Sequence, residues 1–186
     1  MEYSVLIAGS GGQGVMVIGA YIAQAAIANG CNASCMPAYG PEVRGGTANC
    51  IVKYSVGDEL ITPIAEELSA MILMNQVSVD KFKTYPKTPD CTIIINSSLA
   101  ADASGIEKAV PVPCNDIAEN LGNTRVANMV ALGAYAALYD AFEIEHVYPL
   151  VKHSFEGKDE VIRINKAALN AGYSFVKERI CRSGEV

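Results

Sequence analysis

Tyr3-Ser4-Val5-Leu6-Ile7-Ala8-Gly9-Ser10-Gly11-Gly12-Gln13-Gly14-Val15 passes from a short apolar run through a cluster of glycines into a longer apolar segment. Tyr3 to Ala8 reads as a buried strand, since it is too short for a helix and rich in β-branched and aromatic residues. The glycines break it. Val15 to Asn29 then reads as a helix that sets Ile18, Ile22, Ala25 and Ala26 on one face and closes at Gly30, a residue suited to the turn after a helix. Cys31 to Met36 follows as a second strand. Strand, helix and strand in this order predict a βαβ unit with a right-handed crossover.

The rhythm continues along the chain. Pro37-Ala38-Tyr39-Gly40-Pro41-Glu42-Val43-Arg44-Gly45-Gly46 carries too many prolines and glycines for regular structure and reads as a shaped loop. Thr47 to Ser55 resumes a strand, with Ala48, Cys50, Val52 and Tyr54 facing one way. Gly57-Asp58 marks a turn and Leu60-Ile61 a short strand. Further strands are expected at Ala70 to Met74, Thr92 to Ile95 and Val110 to Pro113, with a helix from Ser78 to Tyr85. Four helices then follow at Asp116 to Leu121, Val126 to Tyr139, Ile144 to His153 and Asp159 to Ile180, the last with Val161, Ile164, Ala168 and Phe175 as its apolar stripe. No repeat, low-complexity tract or linker interrupts the pattern. The expectation is one α/β domain over residues 1–186, a three-layer α/β/α arrangement that is Rossmann-like, with a mostly parallel or mixed sheet and a helical C-terminal part.

Composition narrows the function. Hydrophobic residues make up 51% and charged residues 18% of the 186 residues, which suits a folded domain and excludes a disordered one. A net charge of −6 argues against binding along a nucleic-acid backbone, which needs a basic surface. The opening Met1-Glu2-Tyr3-Ser4 has no basic n-region, and no apolar run is long enough for a membrane span. A cytoplasmic protein with free thiols is expected. Cys31, Cys35, Cys50, Cys91, Cys114 and Cys181 lack the close spacing of iron–sulfur ligands, and His146 and His153 are too isolated to suggest a metal site.

Three features offer chemistry. Gly9, Gly11 and Gly14 fit G-x-G-x-x-G between a strand and a helix, where glycines allow an anion to approach backbone N–H groups. A dinucleotide site would also need an acidic residue at the end of the second strand, and that strand ends at Cys35-Met36-Pro37. A phosphate-sized contact and simple tight packing of strand on helix both stay open. In the second feature, Arg44 has the geometry to receive an anion bidentately or to pair with Glu42, supported by Tyr39 in its Pro/Gly frame. The third is Asn75-Gln76 after a strand, echoed by Asn96-Ser97-Ser98, which can line a crevice or cap the next helix. No catalytic set emerges. The Ala/Gly-rich segment Asn128 to Ala137 permits close packing on the sheet or on another subunit.

Taken together, Gly9 to Val15, Pro37 to Cys50 and Met74-Asn75-Gln76 resemble the γ subunit of 2-oxoacid:ferredoxin oxidoreductases, most of all in Pro-x-Tyr-Gly-Pro-Glu-x-Arg-Gly-Gly. The resemblance is close in the first half of the chain and rests on length and helical content in the second. It implies a complex of α, β and in some cases δ subunits that oxidatively decarboxylates a 2-oxoacid, passes electrons to ferredoxin and transfers the acyl group to coenzyme A. It implies thiamine diphosphate with Mg in the α and β subunits and iron–sulfur clusters in β or δ, with no cofactor bound by this chain alone. The form of the second loop is similar to enzymes for 2-oxoglutarate or branched-chain 2-oxoacids; indolepyruvate enzymes have a different loop. By the same resemblance Gly9, Gly11, Gly12, Gln13, Gly14, Pro37, Tyr39, Gly40, Pro41, Glu42, Arg44, Gly45, Gly46, Thr47 and Asn75 are ligand-proximal or interface residues, and none is catalytic. Two other readings stand beside it: a stand-alone nucleotide-binding oxidoreductase of Rossmann-like fold, and a scaffolding subunit that touches no ligand.

Overall fold

Val5 and Ile7 of the first strand enter one hydrophobic core, while Leu6 and Ala8 enter another on the opposite side. Burial on both faces explains why the strand reads as a continuous apolar run without alternation. The computed structural model describes residues 2–39, 47–56, 62, 64–106, 108–139 and 142–183. Among them six strands form one sheet: β1 (Glu2–Ser10), β2 (Cys31–Tyr39), β3 (Thr47–Val56), β4 (Leu68–Leu73), β5 (Lys87–Asn96) and β6 (Ala109–Val112), in the order β2-β3-β1-β4-β5-β6. β1, β4, β5 and β6 are parallel neighbours, and β3 runs antiparallel to both β1 and β2. The sheet is mixed.

The expected βαβ unit is therefore split. β1 and β2 flank α1 (Val15–Ala28) in sequence, yet β3 lies between them in the sheet. β2 and β3 are joined by a short connection, and strands so joined pair antiparallel with each other; β1 then takes the other edge of β3. The strand expected at Leu60-Ile61 lies outside the described residues.

The helices divide unequally. α1, α3 (Cys114–Asn120), α4 (Ala127–Leu138), α5 (Val147–Ser154) and α6 (Asp159–Ser183) contribute to the larger core, whereas α2 (Gln76–Phe82) places Val79 and Phe82 in the smaller one. The helix after β1 thus packs on one face and the helix after β4 on the other. That reversal makes the carboxyl edge between β1 and β4 a topological switch point, where open α/β sheets form crevices.

Two helix details bear on the reading above. α1 buries Ile18, Ile22, Ala25 and Ala26 as its periodicity requires, and Gly30 follows it at φ 81°. In α6 the buried stripe is Ile164, Ala168, Leu169 and Val176, with Val161 and Phe175 at its margins. The small residues of α4 are spent inside the chain: a Cβ on Gly133 would stand 1.9 Å from the Leu169 carbonyl oxygen, and one on Gly172 of α6 would stand 2.0 Å from that of Val130. The two helices touch backbone to backbone.

Candidate functional site

The glycine turn and the start of β3 meet at the carboxyl edge of the sheet, because the β1–β3 register sets Ser10 opposite Thr47. The β2–β3 register sets Tyr39 opposite Ala48 at the same edge. The sequence motifs around Gly9 and Thr47 thus converge although more than thirty residues separate them. Gly40, Pro41, Glu42, Arg44, Gly45 and Gly46, between Tyr39 and Thr47, lie outside the described residues.

Gln13 organises the turn. Its Oε1 accepts from the Ser10 N–H at 2.7 Å and from Asn75 Nδ2 at 2.8 Å, and its Nε2 donates to the Met74 carbonyl at 3.2 Å. This fold-back requires Gly9, where a Cβ would lie 2.8 Å from Gln13 Oε1 and 3.0 Å from Met74 Cβ. It also requires Gly14, which has φ 72° and would press a Cβ to 2.4 Å from Asn128 Nδ2. Gly11 and Gly12 are exposed on the outside of the turn.

Asn75 serves two elements at once. Its Oδ1 caps α2 by accepting from the Ser78 N–H at 2.9 Å, and its Nδ2 reaches back to Ser10 Oγ at 2.8 Å and to Gln13. Asn96, at the end of β5, continues the row: Nδ2 donates to the Met74 carbonyl at 3.1 Å and to Asn115 Oδ1 at 2.8 Å, while Oδ1 accepts from the Cys114 N–H at 3.1 Å. The Met74 carbonyl is the junction, accepting from both Gln13 and Asn96. Every side chain in this row is an amide or a hydroxyl. None ionises in the ordinary pH range, so the row is a rigid frame with no acid or base to offer.

Beside the frame lies a cleft of about 310 Å³ whose lining includes Gly12, Gln13, Leu99, Asn115, Arg125 and Asn128. Among the described residues no lining residue is acidic, and Arg125 brings the one charge. α1 begins at its rim without a side-chain cap, so its positive end is open toward the same space. The turn Thr124–Val126 presents Arg125 there, held by Asn123 Oδ1, which accepts from the Arg125 N–H at 3.0 Å. The electrostatics favour an anion, with the Ser10 N–H already taken by Gln13.

Gly9, Gln13, Gly14, Thr47 and Asn75 lie together at this edge. Thr47 Oγ1 also accepts from Lys81 Nζ at 3.3 Å. Pro37 is different: it is exposed on β2, the edge strand, outside the cleft. Arg125, Asn115 and Asn128 were missed. Their signal was a basic residue just ahead of a helix, which is meaningful only once that helix is known to point at the glycine turn. No described group of three His, Cys, Asp or Glu side chains is placed to hold a metal ion. Among the described residues no helix is long and apolar enough to cross a membrane.

Comparison with known proteins bears on this arrangement. The ketoisovalerate oxidoreductase subunit VorA of Methanothermobacter thermautotrophicus is 38% identical over 181 residues, which cover 96% of this chain and 37% of VorA. The chain thus spans little more than a third of that relative. The 2-oxoglutarate synthase subunit KorC of Archaeoglobus fulgidus is 28% identical over 180 residues, covering 96% of this chain and 92% of KorC. Among solved structures, the gamma subunit of keto/oxoacid ferredoxin oxidoreductase from Geobacter sulfurreducens superimposes with a TM-score of 0.80 at 27% identity, covering 95% of this chain and 99% of that one. The family described as pyruvate ferredoxin/flavodoxin oxidoreductase matches residues 4–175, and the chain belongs to that family.

Proposed function

We propose that this chain is the γ-type part of a 2-oxoacid:ferredoxin oxidoreductase, and that it completes the active site of the assembled enzyme by presenting its carboxyl-edge cleft to partner subunits. The observation that carries this is the site's composition among the described residues: a neutral amide frame, a cleft with one arginine and an open helix terminus, and no acid–base pair. Such a site positions and neutralises an anionic group; it does not itself break bonds. The likeness to VorA and KorC supports a branched-chain 2-oxoacid or 2-oxoglutarate as the substrate class.

Mg held with a diphosphate is bound through one or two carboxylates together with the phosphate oxygens. Among the described residues the cleft's lining has no carboxylate, so these residues do not fit that group. We assign it to the α and β subunits, the iron–sulfur clusters to β or δ, and ferredoxin to a surface of the complex. Coenzyme A, with its phosphates, is the co-substrate whose charge the cleft suits. We place the enzyme in the cytoplasm. A dinucleotide is disfavoured: Gln13 occupies the Ser10 N–H, and β2 ends without an acidic residue.

Co-expression with the α and β partners is the test. The expected result is a stoichiometric complex that reduces ferredoxin with 2-oxoisovalerate or 2-oxoglutarate and coenzyme A, while the chain alone is inactive. No complex, or turnover by the isolated chain, would sink the reading.

A further inference from the structure

Cys35 on β2 and Cys50 on β3 lie diagonally across the antiparallel pair in which Cys35 faces Val52 and Pro37 faces Cys50. Both sulfurs sit in the space left by Gly19 of α1, where a Cβ would stand 2.5 Å from Cys50 Sγ and 3.4 Å from Cys35 Sγ. A single missing methyl group therefore houses two thiols. They differ in access, since Cys50 is fully buried and Cys35 is exposed. They also differ in acidity. A hydrogen bond from Cys50 holds the Cys35 thiol down to about 7 against the opposing effect of burial. The same bond, with burial, pushes the Cys50 thiol well up. When not so engaged, the Cys50 S–H has the Val15 carbonyl at 3.7 Å as its acceptor.

An accessible thiol beside a buried, protonated one has the division of labour of an attacking and a resolving cysteine. We propose that Cys35 and Cys50 are a reversible oxidation site, with Cys35 meeting a low-molecular-weight disulfide and Cys50 closing an intrachain bond. In the first step the Cys35 thiolate attacks one sulfur of the external disulfide; that S–S bond breaks and one thiolate leaves. In the second, the Cys50 sulfur attacks the Cys35 sulfur and its proton passes to the departing thiolate, which leaves as the other half of the reagent in thiol form. The two cysteines lose two electrons and two protons, and the reagent is reduced to two thiols. Diagonal partners across antiparallel strands stand about 7–8 Å apart, just beyond the usual disulfide span of roughly 4.4–6.8 Å between Cα atoms, so the bond closes only with a backbone shift. That shift moves β2 along β3, which an edge strand allows, and the strained bond is readily reduced again.

The other cysteines supply the contrast. Cys31, Cys91 and Cys114 are buried, and Cys181 is exposed near the end of α6. The test incubates the reduced chain with 2-hydroxyethyl disulfide, blocks remaining thiols with iodoacetamide and maps peptides by mass spectrometry. The expected result is a pair of peptides joined through Cys35 and Cys50, opened by dithiothreitol, while the reagent's adduct persists on Cys181. Cys50→Ser is expected to stop at a stable adduct on Cys35, and Cys35→Ser to leave Cys50 unmodified. A wild-type chain that keeps the adduct on Cys35 and forms no bond to Cys50 overturns the proposal, whatever the variants do.

Discussion

Asn75 Nδ2 donates to Gln13 Oε1 at 2.8 Å across the crevice between β1 and β4, so one hydrogen bond joins the glycine turn to the N-terminus of α2. The bond fills the switch point with protein. It leaves the adjoining cleft, on the Arg125 side, open.

The two residues are expected to act as a unit. Asn75→Ala removes a helix cap, which costs about 0.5–2 kcal/mol, together with the bridge to Gln13. Gln13→Ala leaves the Ser10 N–H without its acceptor, at about 1–3 kcal/mol. Urea unfolding of both single variants and the double variant is expected to give a coupling of about 0.5–1.5 kcal/mol. Strict additivity would show that the bridge contributes nothing.

Gly133 has no room to change. With a Cβ 1.9 Å from a backbone oxygen, Gly133→Ala must push α4 and α6 apart, and a loss of about 3 kcal/mol or more is expected. Gly12→Ala is the control: φ is 92° with nothing near the added methyl, so only the backbone penalty of about 1–2 kcal/mol remains. Thermal melts of the two variants compare them directly, and a Gly133→Ala chain as stable as Gly12→Ala would refute the close packing.

Arg125 is exposed on the cleft and makes no ion pair among the described residues. Arg125→Ala is therefore expected to leave the melting temperature of the isolated chain within about 1 °C, in keeping with surface changes of under ~0.5 kcal/mol. In the assembled enzyme it is expected to raise KM for coenzyme A about tenfold, the loss of roughly 1.4 kcal/mol of charge-assisted binding. Unchanged kinetics would remove Arg125 from the site.

Tyr54 and Tyr135 hydrogen-bond to each other through their hydroxyls in the larger core, and burial pushes both phenols up. A raised folded-state pKa means that the folded protein keeps protons the unfolded chain gives up near pH 10. Their stabilisation is present in full below that value and is lost as pH rises above it. These two groups contribute about −2.7 kcal/mol per pH unit to the slope well above pH 10. Urea unfolding between pH 9 and pH 11.5 of wild type and variant measures it, and Tyr54→Phe is expected to make the slope shallower by about 1.4 kcal/mol per pH unit.

The sequence by itself determined the elements. β1, α1 and the turn between them followed from an apolar run, a 3.6-residue period and glycines at fixed offsets, and these are local properties of the chain. The roles of Asn75 as a cap and Gly30 as a helix stop were legible for the same reason. Tertiary structure decided everything that depends on which strand lies beside which. Nothing in Thr47 to Val56 announces that it inserts between β1 and β2, because strand period is the same for every partner. That insertion sets Ser10 opposite Thr47 and Cys35 diagonal to Cys50, and the packing of α4 brings Arg125 and Asn128 to the glycine turn. The Met74 carbonyl, shared by Gln13 and Asn96, is the clearest case: a backbone oxygen carries no residue signature, and only the fold makes it a junction.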